Sequence, residues 1–166
     1  ALVTGAEDRG RLSAYEAALA AASTEDPGID CFGGPMFYTS GTTGRPKGVR
    51  GMLAGGPEVP SDLLPLISGA VAEFVPTPGR TLLAGPVYHS AQWAFSFLPM
   101  VAGSAVVMRH KFDPAETVAI FDDWAITNVH LVPVQFKRLL DLPDEVRDGL
   151  DGSSLVAVWH GAAPCP

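Results

Sequence analysis

The stretch YTSGTTGRPKG, residues 38–48, follows directly on the apolar segment 35–37. It holds three glycines, four serine or threonine hydroxyls and one lysine. Glycine permits positive φ, so successive backbone N–H groups can converge on an anion. The hydroxyls and Lys47 add donors suited to phosphate. The sequence therefore predicts a strand that runs into a phosphate-binding turn at residues 41–48, rather than an ordinary surface loop.

Two common phosphate-binding loops do not fit this stretch. A Walker-type loop has four residues between its first glycine and a Gly-Lys-Ser/Thr triplet. Counting from Gly41, Pro46 stands where the second glycine belongs and Gly48 stands where the Ser or Thr belongs. The glycines also lack the G-x-G-x-x-G spacing of dinucleotide-binding folds. The spacing therefore argues against a P-loop kinase or GTPase and against a Rossmann enzyme.

The stretch closely resembles the signature of the adenylate-forming (AMP-binding) superfamily, which includes acyl-CoA synthetases, luciferases and peptide-synthetase adenylation domains. Three further segments resemble family motifs in the family's order. They are GPVYHS at 85–90, VPV at 132–134, where the family usually has Val-Pro-Pro, and HGAAP at 160–164. The resemblance covers about residues 34–166 and is strongest for fatty-acid–CoA ligases.

The resemblance implies site residues. It assigns ATP binding to the turn, with two of the turn residues, Thr43 and Lys47, also acting in catalysis as charge builds on the departing pyrophosphate. Lys47 could instead be a solvated surface lysine, His89 a core histidine, Trp93 a core residue and Lys111 an exposed lysine. The implied residues are Thr39, Ser40, Gly41, Thr42, Thr43, Gly44 and Lys47 for ATP, His89, Trp93, His160, Gly161, Ala162 and Ala163 for the acid substrate, and Lys111 for CoA.

The implied activity is that of an AMP-forming acid–CoA ligase. A carboxylate, expected to be a fatty acid, attacks the α-phosphate of ATP, and CoA then displaces AMP to give the thioester. ATP, Mg²⁺ and CoA are the implied cofactor and co-substrates, and no residue of this chain is assigned as a metal ligand. The resemblance also implies that residues 1–166 are part of the large N-terminal domain, that the mobile C-terminal domain is absent, and that this chain alone is inactive.

Three alternatives stay open at this stage. Amino-acid adenylation domains use an acidic residue to pair the substrate ammonium, but no Asp or Glu lies between Gly79 and Phe112, and segment 91–100 is apolar. Aryl acids and luciferase-type chemistry would share the same motifs. A non-catalytic nucleotide-binding fragment is the alternative outside the enzymes.

The composition of the chain argues against some classes of binding partner. The net charge of −7 with scattered basic residues argues against nucleic acid, and no apolar run is long enough to cross a bilayer. The two cysteines, Cys31 and Cys165, lack metal-ligand spacing. With no signal peptide in view, we expect a reduced, cytoplasmic enzyme that could form oligomers.

Strand and helix patterns alternate along the chain, which predicts an α/β layered fold with a largely parallel sheet and flanking helices. Ligands of such folds lie at the carboxyl ends of the strands, near Ser40, His89 and Gly161. The sequence Asp113-Pro114-Ala115-Glu116 predicts a capped helix start. Predicted strands are 37–40, 81–85, 105–108, 129–132 and 155–159, and predicted helices are 11–22, 61–74, 91–100, 114–124, 135–140 and 143–150.

Overall fold

The computed structural model describes residues 2–3, 13–28, 30–32, 35–39, 44–50 and 59–164. The chain divides into two compact units, Ala1–Asp30 and Cys31–Pro166. In the first unit, strand β1 (Leu2–Val3) pairs in parallel with β2 (Ser13–Ala14), and helix α1 (Tyr15–Ala21) follows. Helix α1 buries no residue. It is shorter than the predicted helix 11–22, whose first two residues lie outside the described ranges.

The second unit begins with two small antiparallel pairs. Strand β3 (Cys31–Phe32) pairs with β6 (Val59–Pro60), and β4 (Met36–Thr39) pairs with β5 (Lys47–Arg50). The second pair corrects the predicted turn at 41–48, because Lys47 and the glycine after it belong to a strand. The pairing of β4 with β5 extends as far as Lys47, which lies opposite Thr39.

A four-stranded parallel sheet with the strand order β10-β9-β7-β8 dominates this unit and confirms the predicted fold class. Helices cross between its strands, as parallel pairing requires. The strands are β7 (Arg80–Leu83), β8 (Ala105–Met108), β9 (Asn128–Leu131) and β10 (Ala157–His160); the helices are a 3₁₀ turn (Ser61–Leu63), α2 (Leu64–Ala72), α3 (Ser90–Val101), α4 (Pro114–Asp123), α5 (Pro133–Leu140) and α6 (Asp144–Arg147).

The two faces of the sheet bury different side chains. Because side chains alternate along a strand, Leu82 and Val129 lie on one face, where they join Ile120 and Phe121 of α4 in the apolar core. The other face, against α3, is polar at its centre: Asn128 is fully buried and donates to Thr81 Oγ1 at 2.8 Å. Strand β9 is buried at all four positions, which identifies it as a central strand.

The start of helix α4 follows the predicted pattern in part. The Asp113 carboxylate accepts the backbone N–H of Glu116 at 3.0 Å, as an N-cap should. In a full capping box the Glu116 side chain would also accept the backbone N–H of Asp113. Here it forms a salt bridge with Arg109 on the preceding segment instead. Burial of Thr117 and Val118 then fixes this first turn against the sheet.

We expect Asp113→Ala to destabilise the protein by about 1 kcal/mol, because the backbone N–H of Glu116 at the start of α4 would lose its side-chain acceptor. For a chain of this size the shift in Tm is roughly 2–4 °C, measurable by thermal unfolding followed by circular dichroism. The matched control is Asp123→Ala at the other end of the same helix, where removing a negative charge should cost nothing. An equal decrease in Tm for the two variants would contradict the capping role of Asp113.

Candidate functional site

The stretch YTSGTTGRPKG at residues 38–48, called here the phosphate stretch, is described by the structure only at its two ends, residues 38–39 and 44–48. Ser40, Gly41, Thr42 and Thr43 lie outside the described residues, and of Thr39 only the backbone is described. Lys47 is exposed on β5, directly opposite Thr39 in the register. Gly44 has a φ of +78°, so the turn uses glycine where another residue would be strained.

Aromatic packing attaches this hairpin to helix α3. The ring of Phe37, on β4, meets Trp93 edge-on with centroids 5.7 Å apart. Trp93 in turn stacks on Phe97, one helical turn further along, at 4.7 Å. Trp93 therefore joins the strand before the phosphate stretch to the helix that follows GPVYHS, and it is half-buried in this packing. This packing is compatible with a core role for Trp93, and its contact with the acid substrate stays a prediction.

His89 forms the start of helix α3. Its Nδ1 accepts the backbone N–H of Ala91 at 3.4 Å, and its carbonyl accepts the N–H of Trp93 at 2.9 Å. The imidazole is exposed, six residues after β7 ends. Gly85 allows the helix to approach, because a Cβ there would lie 2.9 Å from the Gln92 side chain.

A buried histidine that the sequence reasoning missed lies at the centre of the site. His130, on β9, is only 4 % exposed, and its ring stacks on Phe95 of α3 at 4.6 Å. The Gln92 side-chain nitrogen lies 3.2 Å from His130 Nδ1 and 3.3 Å from the His130 carbonyl oxygen. The signal in the sequence was a histidine inside the otherwise apolar segment 129–132.

The electrostatics around His130 favour its neutral form. Burial lowers the pKa of His130, and positive charge on His89 and, less strongly, on His160 lowers the pKa further. The structure thus brings three histidines into electrostatic range at the carboxyl ends of the strands. Gly161 completes the group, since a Cβ at that position would lie 3.1 Å from His130 Nε2.

The turn after β10 carries backbone strain. Ala162 has a φ of +72°, a region that favours glycine. Non-glycine residues held in this region cost about 1 kcal/mol or more and are concentrated at functional sites. His160, Ala162 and Ala163 are exposed, so the turn presents backbone and small side chains to a ligand.

A cavity of about 480 Å³, called here the basic cavity because three basic residues line it, lies at the carboxyl ends of β7 and β8. Arg109, His110, Lys111 and Tyr88 are among the residues that line it. Glu116, the acid that lines it, is paired with Arg109. Lys111 lines this cavity and Gly161 does not, so the two predicted site residues lie in different parts of the surface.

Metal ligands do not assemble in the described ranges. No three His, Cys, Asp or Glu side chains come together there as a metal site. In the same residues, no helix has both the length and the apolar character needed to cross a membrane.

The lowered pKa of His130 predicts a pH dependence of stability. In the unfolded chain His130 takes up a proton near pH 6.5, whereas in the folded protein it does so only at lower pH. The unfolded state therefore binds more protons below about pH 6.5, and the free energy of unfolding should fall as the pH drops from there towards the folded pKa.

Thermal unfolding between pH 8 and pH 5 measures this effect. His130→Gln should flatten the dependence of Tm on pH, whereas His110→Gln, which removes an exposed histidine, should leave the slope of the wild type. An unchanged slope in His130→Gln would show that His130 titrates normally.

Known proteins resemble the chain at the level of sequence and of fold. It is 36% identical over 129 residues to a medium/long-chain-fatty-acid–CoA ligase of Mycobacterium tuberculosis, with 77% of this chain and 21% of that protein covered. It is 30% identical over 131 residues to a 2-succinylbenzoate–CoA ligase of Bacillus pumilus, with 79% and 25% covered. The chain therefore spans about a fifth to a quarter of the length of these relatives.

A solved structure shares the fold. The inhibitor-bound N-terminal domain of FACL13 from Mycobacterium tuberculosis matches with a TM-score of 0.69 and 21% identity, covering 93% of this chain and 38% of that one. At sequence level, a family model described as AMP-binding enzyme matches residues 35–166. Since that match covers most of the chain, the chain belongs to the AMP-binding enzyme family.

Proposed function

We propose that the whole protein is an ATP-dependent acid–CoA ligase that activates a fatty acid. In the first half-reaction a carboxylate oxygen attacks the α-phosphorus of ATP, the bond to the β-phosphate oxygen breaks, and pyrophosphate leaves. In the second, the CoA thiolate attacks the acyl carbon and AMP leaves. The proposal concerns the whole protein because the chain spans only 21% and 25% of two acid–CoA ligases it matches.

The single observation that carries the proposal is the contact between Phe37 and Trp93. It joins the strand of the phosphate stretch to the same helix that His89 begins and that Gln92 attaches to His130. A nucleotide held by the hairpin and an acid held at Gly161 would thus be oriented by one rigid element. Holding two reactants in the correct orientation lowers the barrier to a displacement of this kind.

The motifs suggest a role for each residue of the site. Lys47, with the N–H groups and hydroxyls of Thr39, Ser40, Gly41, Thr42, Thr43 and Gly44, would hold the polyphosphate and stabilise the charge that builds on pyrophosphate. His89, Trp93, His160, Gly161, Ala162 and Ala163 would border the acid and its adenylate. These assignments rest on the motifs, and the exposure of Lys47 leaves its ammonium free to reach a ligand.

The basic cavity suits the co-substrate. CoA carries phosphates, and Lys111 and Arg109 are exposed cations at the cavity wall. Because Arg109 is paired with Glu116, we assign the phosphate contact to Lys111. ATP and CoA would then enter on two sides of the carboxyl ends of β7 and β9. The cytoplasmic location expected from the sequence belongs to the same proposal.

An aryl acid is the second candidate substrate. The 2-succinylbenzoate–CoA ligase relative supports it, and so does the row of aromatic side chains along α3. The fatty-acid reading is favoured by the more similar fatty-acid–CoA ligase relative and by an apolar cavity of about 280 Å³ between α2, α3 and β10. This cavity is lined by Phe95, Leu98 and Trp159, among others.

We expect Lys47→Ala to slow adenylate formation roughly tenfold or more, because each 1.4 kcal/mol of lost transition-state stabilisation costs a factor of ten. The measurement is ATP–pyrophosphate exchange by the whole protein with a fatty acid. Lys137→Ala is the matched control, since Lys137 is exposed on α5 and pairs only locally with Asp141. An exchange rate that stays at the wild-type value in Lys47→Ala would remove Lys47 from the nucleotide site.

The substrate assignment predicts an order of preference. We expect kcat/KM to be highest for fatty acids, lower for aryl acids and lowest for amino acids. An unpaired ammonium beside the apolar helix would cost several kcal/mol, whereas each buried methylene contributes about 0.8 kcal/mol. Acyl-CoA formation across a matched series of the three classes, followed by mass spectrometry, gives the order. A preference for any amino acid would overturn the assignment.

A further inference from the structure

The side chain of Glu116 has two competing partners at the basic cavity. In this structure its carboxylate accepts a hydrogen bond from Arg109, on the segment that joins β8 to α4. The alternative partner is the backbone N–H of Asp113, which the third residue of a helix can accept to complete a capping box. That N–H has no hydrogen-bond partner among the residues that the structure describes, whereas the Glu116 N–H does bond to the Asp113 carboxylate.

We expect the two arrangements of Glu116 to be close in free energy. The salt bridge is open to water, since 50 % of the Arg109 side chain and 39 % of the Glu116 side chain are accessible. Exposed ion pairs stabilise a protein only weakly, because water and salt screen the attraction. A ligand that competes for Arg109 therefore meets little resistance, and Glu116 still has a partner when it lets go.

The charges at the cavity indicate which ligand could compete. Arg109, His110 and Lys111 line it, and Glu116 is the carboxylate among the described lining residues. Lys111 is exposed and forms no salt bridge within the described part of the chain. A phosphate can take two parallel N–H bonds from a guanidinium, whereas Glu116 accepts one from Arg109 here. A phosphate beside Lys111 would therefore compete well for Arg109.

The other residues of the cavity suit an organic phosphate better than the inorganic ion. Most of them are apolar, among them Leu83, Val87 and Phe112, and the exposed ring of Tyr88 is a further wall. A volume of about 480 Å³ is typical of sites for small organic molecules and far exceeds what one phosphate fills. CoA combines phosphates with a large organic part, and so it fits this lining.

We propose that Arg109 and Lys111 together hold a phosphate of CoA, and that Glu116 exchanges Arg109 for the backbone N–H of Asp113 when CoA binds. Arg109 is then a second phosphate contact, and Glu116 is a positioning residue that holds Arg109 until the phosphate arrives. This inference rests on the proposed function, which assigns the phosphate contact to Lys111 alone. It adds a residue that lies outside the family motifs.

The first experiment measures acyl-CoA formation from decanoate by the whole protein. Arg109→Ala should raise the KM for CoA roughly tenfold and leave the KM for ATP unchanged. With pantetheine, which has the same thiol but no phosphate, kcat/KM should not change. Arg109→Lys keeps the charge and should recover most of the loss. Arg147→Ala is the matched control, because Arg147 is a partly exposed arginine paired with Asp144 away from the cavity.

Glu116→Gln tests the exchange of partners. Glutamine can accept the Asp113 N–H as glutamate does, but it lacks the charge that holds Arg109. The KM for CoA should therefore fall by roughly two- to fivefold, the factor that corresponds to losing an exposed ion pair. The decrease should disappear when Arg109→Ala is combined with it. Glu145→Gln, which neutralises an exposed acid on α6, should leave the KM for CoA unchanged.

A second experiment needs no turnover and no variant of Arg109. In NMR spectra of the whole protein labelled with ¹⁵N-aspartate, CoA should shift the N–H signal of Asp113 as it gains the Glu116 carboxylate. Pantetheine should leave the signal in place. Glu116→Ala should abolish the shift, which separates the new hydrogen bond from mere proximity of CoA. This measurement decides the matter if Arg109→Ala does not fold.

The outcomes separate the two proposals. Wild-type protein that activates no acid refutes the proposed function, and the NMR titration with CoA still tests the exchange at Glu116. Acyl-CoA formation with an unchanged KM for CoA in Arg109→Ala, or with an equal loss for pantetheine, overturns the inference alone. An Asp113 N–H that saturating CoA does not shift overturns it too. A rise in the KM for ATP in Arg109→Ala would assign Arg109 to ATP and likewise overturn the inference.

Discussion

Close packing of helix α3 on the parallel sheet is the constraint on which the rest of the structure depends. The absence of a side chain at Gly85 leaves room for the Gln92 side chain, which donates to both the ring and the backbone carbonyl of His130 on β9. From the same helix, Trp93 contacts the hairpin through Phe37. A small displacement of α3 would therefore disturb the phosphate stretch and the end of β9 together.

The buried polar face under α3 is costly unless every group is paired. An unpaired amide or imidazole nitrogen in the interior loses its hydration without compensation. Asn128 meets this demand by bonding to Thr81, and Gln135, on the other face, by donating to the Ala84 carbonyl at 2.7 Å. Among the residues that the structure describes, the imidazole of His130 has its hydrogen-bond partner, Gln92, at Nδ1.

The strain at Ala162 fits the same picture. A left-handed alanine persists only when its surroundings fix it, and here β10 precedes it while His130 packs beneath Gly161. The parallel pairing of β10 with β9 places Trp159 beside His130 and sets the neighbouring His160 on the opposite face. Sheet register, more than local preference, determines which residues of HGAAP meet the site.

The sequence by itself determined the family, the α/β class and most strand and helix positions, because glycine spacing, apolar runs and helix caps are local signals. Strand β9 and the N-cap at Asp113 followed from such signals. Only the tertiary structure decided that Lys47 lies in a strand and that His130 meets Gln92 and Gly161. The two His130 contacts join residues 38 and 31 positions apart, and their geometry depends on strand order and on where a crossover helix lies. No local pattern of residue types encodes such a position.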